Sequence, residues 1–313
     1  MKGQALTPLL ALAFTVWTCG SQALASAHPQ SRERSKSDAD INAIGNRHIA
    51  RGVNFYSVQH EKDLGKSLAD EVERSAKLMQ DPSVIEYVEK VAQNVTKHSD
   101  AEIPITVRVI DSDAVTTFTL AGGYQYVSRG LLLKLENEGE LASVLARGIA
   151  HTALRSATTQ ATKAQLMAAT VPVLASGPSS SSARQAPTTS LIQLKMKRDD
   201  ELDADYFGIE YVYKAGYDPE CFTSFLQRIW GFNATAANDS VSKVFGTYPP
   251  LDERLAALKK EISKILPPRD GAIISTPEFD EFKEHLQAYK SNELNQPPKG
   301  TQPAEPHLFD PIG

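Results

Sequence analysis

The chain has 313 residues, 41% of them hydrophobic and 23% charged, and a net charge of -5. That length suits one large or two modest domains. The mild negative charge, with no concentrated basic face and no long charged run, excludes an electrostatic nucleic-acid binder and a charged binding tail.

The amino terminus has the features of an export signal. Lys2 supplies a short positive start, Leu9 to Trp17 an apolar stretch, and Ala23-Leu24-Ala25 a small-x-small cleavage pattern. Residues 1–25 therefore read as a signal peptide cut after Ala25. The apolar run is shorter than the roughly 20 residues a bilayer span needs, and an uncleaved anchor is the alternative. Leu166 to Ala175 comes nearest to a later span but is short and contains Pro172. Cys19-Gly20 raises lipidation, against which Trp17 and Thr18 stand as poor preceding residues. The expected location is periplasmic or extracellular. With Cys19 removed, Cys221 is alone, no intrachain disulfide forms, and Cys221 reads as a small core residue.

Residues 26–51 are polar and aperiodic, which predicts a disordered or loosely attached segment. The main domain is expected over 52–266. Val58 to Gln80 has helical spacing, with Leu64, Leu68, Val72 and Leu78 among its apolar positions. Asp81-Pro82 ends it and starts a second helix through Val95. Ile105 to Ile110 alternates as a strand, and Thr116 to Val127 as a hairpin turning at Gly122-Gly123. Arg129 to Leu135 is helical, and Glu138 to about Ala169 reads as one long helix. Residues 177–186 form a Ser-rich linker.

Further helices are expected at Leu191 to Ala215, closed by Gly216, at Pro219 to Trp230 and at Asp252 to Ile265. Residues 267–313 comprise a last helix, capped by Thr276 with Pro277 in its first turn, and a disordered Pro-rich tail. The sum is an α+β, mainly helical domain with a small antiparallel sheet and hairpin.

Glu140 to Arg155 is the informative segment for chemistry. Its flanks resemble the active-site helix of zinc metallopeptidases, where H-E-x-x-H places two metal-binding histidines on one helical face and a glutamate as general base. The five corresponding residues here are Arg147-Gly148-Ile149-Ala150-His151. Three further stretches match in order: Gln59 to Gly65, Phe118 to Leu131, and Glu201-Leu202-Asp203-Ala204-Asp205-Tyr206-Phe207-Gly208. Together they resemble the HtpX/BepA-like zinc metalloendopeptidases, peptidase family M forty-eight, from about Asn54 to Lys259.

The resemblance implies a zincin-like (gluzincin) fold. It makes Glu201 the third zinc ligand and Asp205 a supporting residue behind it. It makes the hairpin an edge for extended peptide, with Phe118, Leu120 and Tyr124 the candidate contacts. Departures fall on the chemistry. Arg147 stands at the first ligand position, Gly148 at the general-base position, and Tyr248 where the family carries a histidine before proline. His151 and Glu201 remain as vestigial ligands.

A catalytic zinc site normally takes three protein ligands plus water. Arginine stays protonated and cannot be a ligand, and glycine cannot take a proton. The expectation is that the Arg147 guanidinium replaces the metal, pairing with Glu201 and touching His151, with no cofactor. Read without the family, His151 is an ordinary helical histidine, Glu201 and Asp205 part of a solvated acidic stripe with Asp199, Asp200 and Asp203, and the hairpin an ordinary hairpin.

Two functions stay open: a non-catalytic protein that binds extended or unfolded polypeptide in the cell envelope, or an active zinc metalloendopeptidase with a replaced ligand and base. The implied partner is a polypeptide substrate or client and not nucleic acid, with peripheral membrane association compatible.

Overall fold

The structure, a computed structural model, describes residues 39–50, 52–175, 186–236 and 249–295. The expected signal peptide, most of the Ser-rich linker, Tyr248 and the carboxy-terminal tail lie outside the described residues.

Local sequence accounts for the helix starts. The Asp81 carboxylate accepts from the amides of Ser83 (3.0 Å) and Val84 (3.3 Å), and Pro82 occupies the first turn of α2 (Pro82–Lys97), where its missing N–H costs nothing. Val84, Val88, Val91 and Val95 of α2 are buried, so one helical stripe faces the core. Burial of each such side chain stabilises by about 1.5–3 kcal/mol. Ser57 caps α1 (Val58–Ser75) in the same way. Asn137 caps α4 (Glu138–Ala153), its side-chain oxygen accepting from the Glu140 amide at 2.9 Å.

Between α2 and α4 the chain forms β1 (Thr106–Ile110), β2 (Thr117–Thr119) and β3 (Tyr124–Ser128), followed by α3 (Arg129–Lys134). The sheet order is β1-β3-β2. β2 and β3 are the expected hairpin, antiparallel with Phe118 opposite Tyr126 and Thr119 opposite Gln125. β1 joins β3 in parallel, so the sheet is mixed rather than purely antiparallel. The hairpin turns through Gly122 (φ 71°) and Gly123 (φ 84°), a backbone that glycine adopts without steric penalty. Gly65 lets α1 approach this turn: a Cβ there would lie 2.1 Å from the Ala121 carbonyl oxygen.

After α4 come α5 (Ser156–Ala175), α6 (Ala186–Lys214), α7 (Glu220–Ala236), α8 (Leu251–Lys264) and α9 (Pro277–Asn295). α4 runs through the centre, packed against α6, α2 and α7. No helix among the described residues is long and apolar enough to cross a membrane. Cys221, at the start of α7, is a free cysteine and is buried as expected.

Three further expectations are corrected. The long helix from Glu138 breaks at Arg155, whose φ of 52° is left-handed and separates α4 from α5. Its guanidinium donates to the buried Glu61 carboxylate (2.6 Å) and the Tyr56 carbonyl (2.7 Å), contacts that hold this unfavourable conformation. Residues 40–50 are not loosely attached: Ile49 is buried, and Arg47 donates to Asp100 (2.6 Å) and Glu210 (2.9 Å) with its side chain 2% exposed. α9 is no appendage to a domain ending at 266, because Phe279, Phe282 and Leu286 belong to the common core.

Candidate functional site

Every residue of α4 is buried except Arg147 and His151. Four positions apart on a helix, they share one face. That face looks into a cleft of about 260 Å³, whose wall also includes Gly148, Glu201, Gln125 and β2. Phe118 and Leu120 line it; Tyr124 does not.

α6 supplies the acidic wall. Glu201 and Asp205 are again four apart, and they are 6% and 2% exposed, which rules out the solvated stripe for this pair. Nη2 of Arg147 donates to Oε2 of Glu201, and Nε of Arg147 to Oδ1 of Asp205 at 3.2 Å. The opposite side of Asp205 meets α8, where Arg254 donates from Nε to Oδ2 and from Nη2 to Oδ1, each at 2.6 Å. Such a two-pronged contact is the geometry in which guanidinium and carboxylate interact most strongly. The structure thus brings together Arg147, Gly148, His151, Glu201 and Asp205.

His151 is held apart from this chain of charges. Its Nε2 lies 3.8 Å from Oε2 of Glu201, too far for a hydrogen bond. Desolvation in the cleft, reinforced by the positive charges of Arg147 and Arg254, pushes its pKa well below the ordinary histidine value. The ring is therefore neutral at neutral pH.

The rest of the wall comes from the sheet and from the break after α4. Gln125 of β3 points at α4, its Nε2 donating to the Val144 carbonyl at 3.1 Å. Glu61 of α1, 1% exposed, lines the same cleft and accepts from Arg155 and from the Thr158 hydroxyl (2.9 Å). β2 pairs only with β3 within the sheet. The Leu120 amide bonds to the Tyr124 carbonyl, and the Ser128 amide to the Thr116 carbonyl. The alternation of an antiparallel ladder then turns the backbone groups of Thr117 and Thr119 away from β3, along an edge whose residues line the cleft. Tyr124 shares its sheet face with Tyr126, which stacks on Phe118 and reaches Glu73 of α1.

Arg254, Gln125 and the Glu61–Arg155 pair were not singled out from sequence as parts of the site. Asp205 and Arg254 are 49 residues apart, and no local spacing links them.

These residues do not fit the three-ligand pattern of a catalytic zinc. Oε2 of Glu201 accepts from Arg147, which has no lone pair to offer a metal. Among the described residues, no group of three His, Cys, Asp or Glu side chains is placed to hold a metal ion. Gly148, on the same helix as Arg147, carries no side chain to take or give a proton.

A family model described as Peptidase family M48 matches residues 79–262. The Beta-barrel assembly-enhancing protease of Escherichia coli is 23% identical over 223 residues, covering 67% of this chain and 45% of that protein. Its counterpart in Yersinia pestis is 24% identical over 223 residues, covering 67% and 46%. A Putative beta-barrel assembly-enhancing protease of Vibrio cholerae is 30% identical over 164 residues, covering 49% and 34%. The chain thus spans less than half the length of the curated relatives it matches.

Proposed function

The chain belongs to Peptidase family M48, and from that premise we propose that it is a catalytically inactive member that binds extended or unfolded polypeptide in the cell envelope. One observation carries the reading: the guanidinium of Arg147 is hydrogen-bonded to Glu201 at the position of the first motif histidine. A cation tethered to α4 satisfies the acidic wall, so the wall has no need of a dissolved dication. Gly148 adds an independent loss, since general acid–base catalysis contributes typically about 10²–10⁴-fold.

Binding is assigned to the β2 edge. The outward backbone groups of Thr117 and Thr119 suit an added strand, with Phe118 and Leu120 among the residues that line the cleft beside it. The signal-like amino-terminal sequence supports export, and the similarity to proteins named Beta-barrel assembly-enhancing protease supports an envelope setting with polypeptide clients. Such a protein acts as a chaperone-like or regulatory partner.

The test is the zinc content of purified protein, together with casein binding and casein hydrolysis with and without chelator. Far less than one zinc per chain, no chelator-sensitive cleavage and saturable casein binding are expected. Chelator-sensitive cleavage would overturn the proposal in favour of an active zinc metalloendopeptidase.

A further inference from the structure

We infer that Gln125 closes the position at which the motif carries its glutamate: the carboxamide from β3 occupies the volume that any side chain at residue 148 needs. The link to catalysis rests on reading Gly148 as the general-base position; the steric relation stands apart from it. A Cβ built on Gly148 would lie 2.3 Å from both Cδ and Nε2 of Gln125, and 2.7 Å from Oε1. All three distances are below the 3.0 Å that real Cβ contacts respect.

The amide is also held in place. Gln125 is 1% exposed, and its Nε2 donates to the carbonyl of Val144, one turn before Gly148 on the same helix. To admit a side chain at 148 the carboxamide must shift, and shifting it costs that bond. The site is therefore closed from the sheet as well as from the helix, and exchanging residues on α4 alone does not reopen it.

Thermal unfolding of four full-length proteins tests this: wild type, Gly148→Ala, Gln125→Ala and the double variant. A glycine-to-alanine change inside a helix ordinarily stabilises. Here Gly148→Ala is expected to lower Tm by on the order of 5 °C in the wild-type background, through overpacking. The same change is expected to raise Tm in the Gln125→Ala background. A rise in both backgrounds, or an equal shift in both, overturns the inference. Should Gly148→Ala fail to accumulate as folded protein, its recovery by Gln125→Ala supports the inference and lack of recovery overturns it.

A second arm adds Arg147→His and Gly148→Glu together, with and without Gln125→Ala, and follows chelator-sensitive casein hydrolysis. Hydrolysis confined to the triple variant supports the closure, and equal hydrolysis in both overturns it. Chelator-sensitive hydrolysis by the wild type would defeat the proposed function while leaving the sign reversal in Tm intact, so the two failures are distinguishable.

Discussion

The Arg147 guanidinium donates to Glu201 on one side and to Asp205 on the other, tying α4 to α6 at the floor of the cleft. Asp205 is in turn gripped from α8 by Arg254. Two guanidinium groups thus face two carboxylates, with a neutral His151 beside them. Among these five residues the formal charges cancel. Nearly buried carboxylates need a compensating cation, and here it is supplied covalently.

Breaking that balance has a predictable cost. Arg147→Ala leaves Glu201 desolvated without its cationic partner. Loss of one member of a buried pair typically costs about 3–5 kcal/mol. The Arg147 side chain is 18% exposed, so solvent recovers part of this and about 2–3 kcal/mol is expected. Glu201→Gln keeps an acceptor and should cost less. Urea midpoints of the two variants check the order; an unchanged midpoint for Arg147→Ala means the pair contributes nothing.

Arg147→His should turn the cleft toward metal. It removes the repelling charge and places an imidazole one helical turn before His151, opposite Glu201, giving three possible ligands. Zinc after dialysis is expected to rise to about one per chain. At a hundredfold excess over Kd the bound ion would stabilise the fold by about 2.7 kcal/mol, a gain that chelator abolishes. No uptake by the variant would mean that His151 and Glu201 no longer converge.

Arg155→Gly separates backbone strain from ion pairing at the break after α4. Glycine accepts the φ of 52° freely, so any loss of stability reports the contacts to Glu61 and to the Tyr56 carbonyl. With Glu61 1% exposed, the expected net loss is about 2–4 kcal/mol in chemical denaturation. Relief of strain with a gain in stability would refute this account.

What could be read from sequence was what repeats locally. The valine stripe of α2, the Asp81-Pro82 start and the Gly-Gly hairpin all announce themselves within a few residues. The end of α4 could not be read, because Arg155 takes a left-handed backbone held by Glu61, 94 residues earlier. Residues 40–50 looked unattached for the same reason: Arg47 is anchored by Asp100 and Glu210, far along the chain. At the site, the resemblance to the metallopeptidase family indicated Arg147, His151, Glu201 and Asp205, which their spacing alone does not single out. The fit of Gln125 over Gly148 depends on how β3 meets α4, and nothing in either segment records it.

Glu210 gives a pH dependence of definite sign. Burial pushes its pKa up to about 7, against the opposing pull of Arg47. From the ordinary value of 4.5 up to that pH, the folded state holds a proton that the unfolded state has lost. The contribution of this residue to stability therefore falls as pH rises through that window and is level above it. The difference in unfolding free energy between wild type and Glu210→Gln, measured from pH 4.5 to 8, should move against the wild type by on the order of 1–3 kcal/mol. A flat difference would show that Glu210 ionises normally.

The β2 edge can be blocked without touching the cleft floor. The Thr119 N–H points away from β3, so Thr119→Pro removes no bond within the hairpin, and proline is tolerated on edge strands. It removes a donor that an added strand would use and sets a ring where that strand would lie. Casein binding is expected to weaken at least tenfold, a loss of about 1.4 kcal/mol or more, with Tm within a few degrees of wild type. Phe118→Ala should weaken binding less, because it trims one wall contact and keeps the backbone edge. Equal binding by wild type and Thr119→Pro would place the polypeptide elsewhere on the molecule.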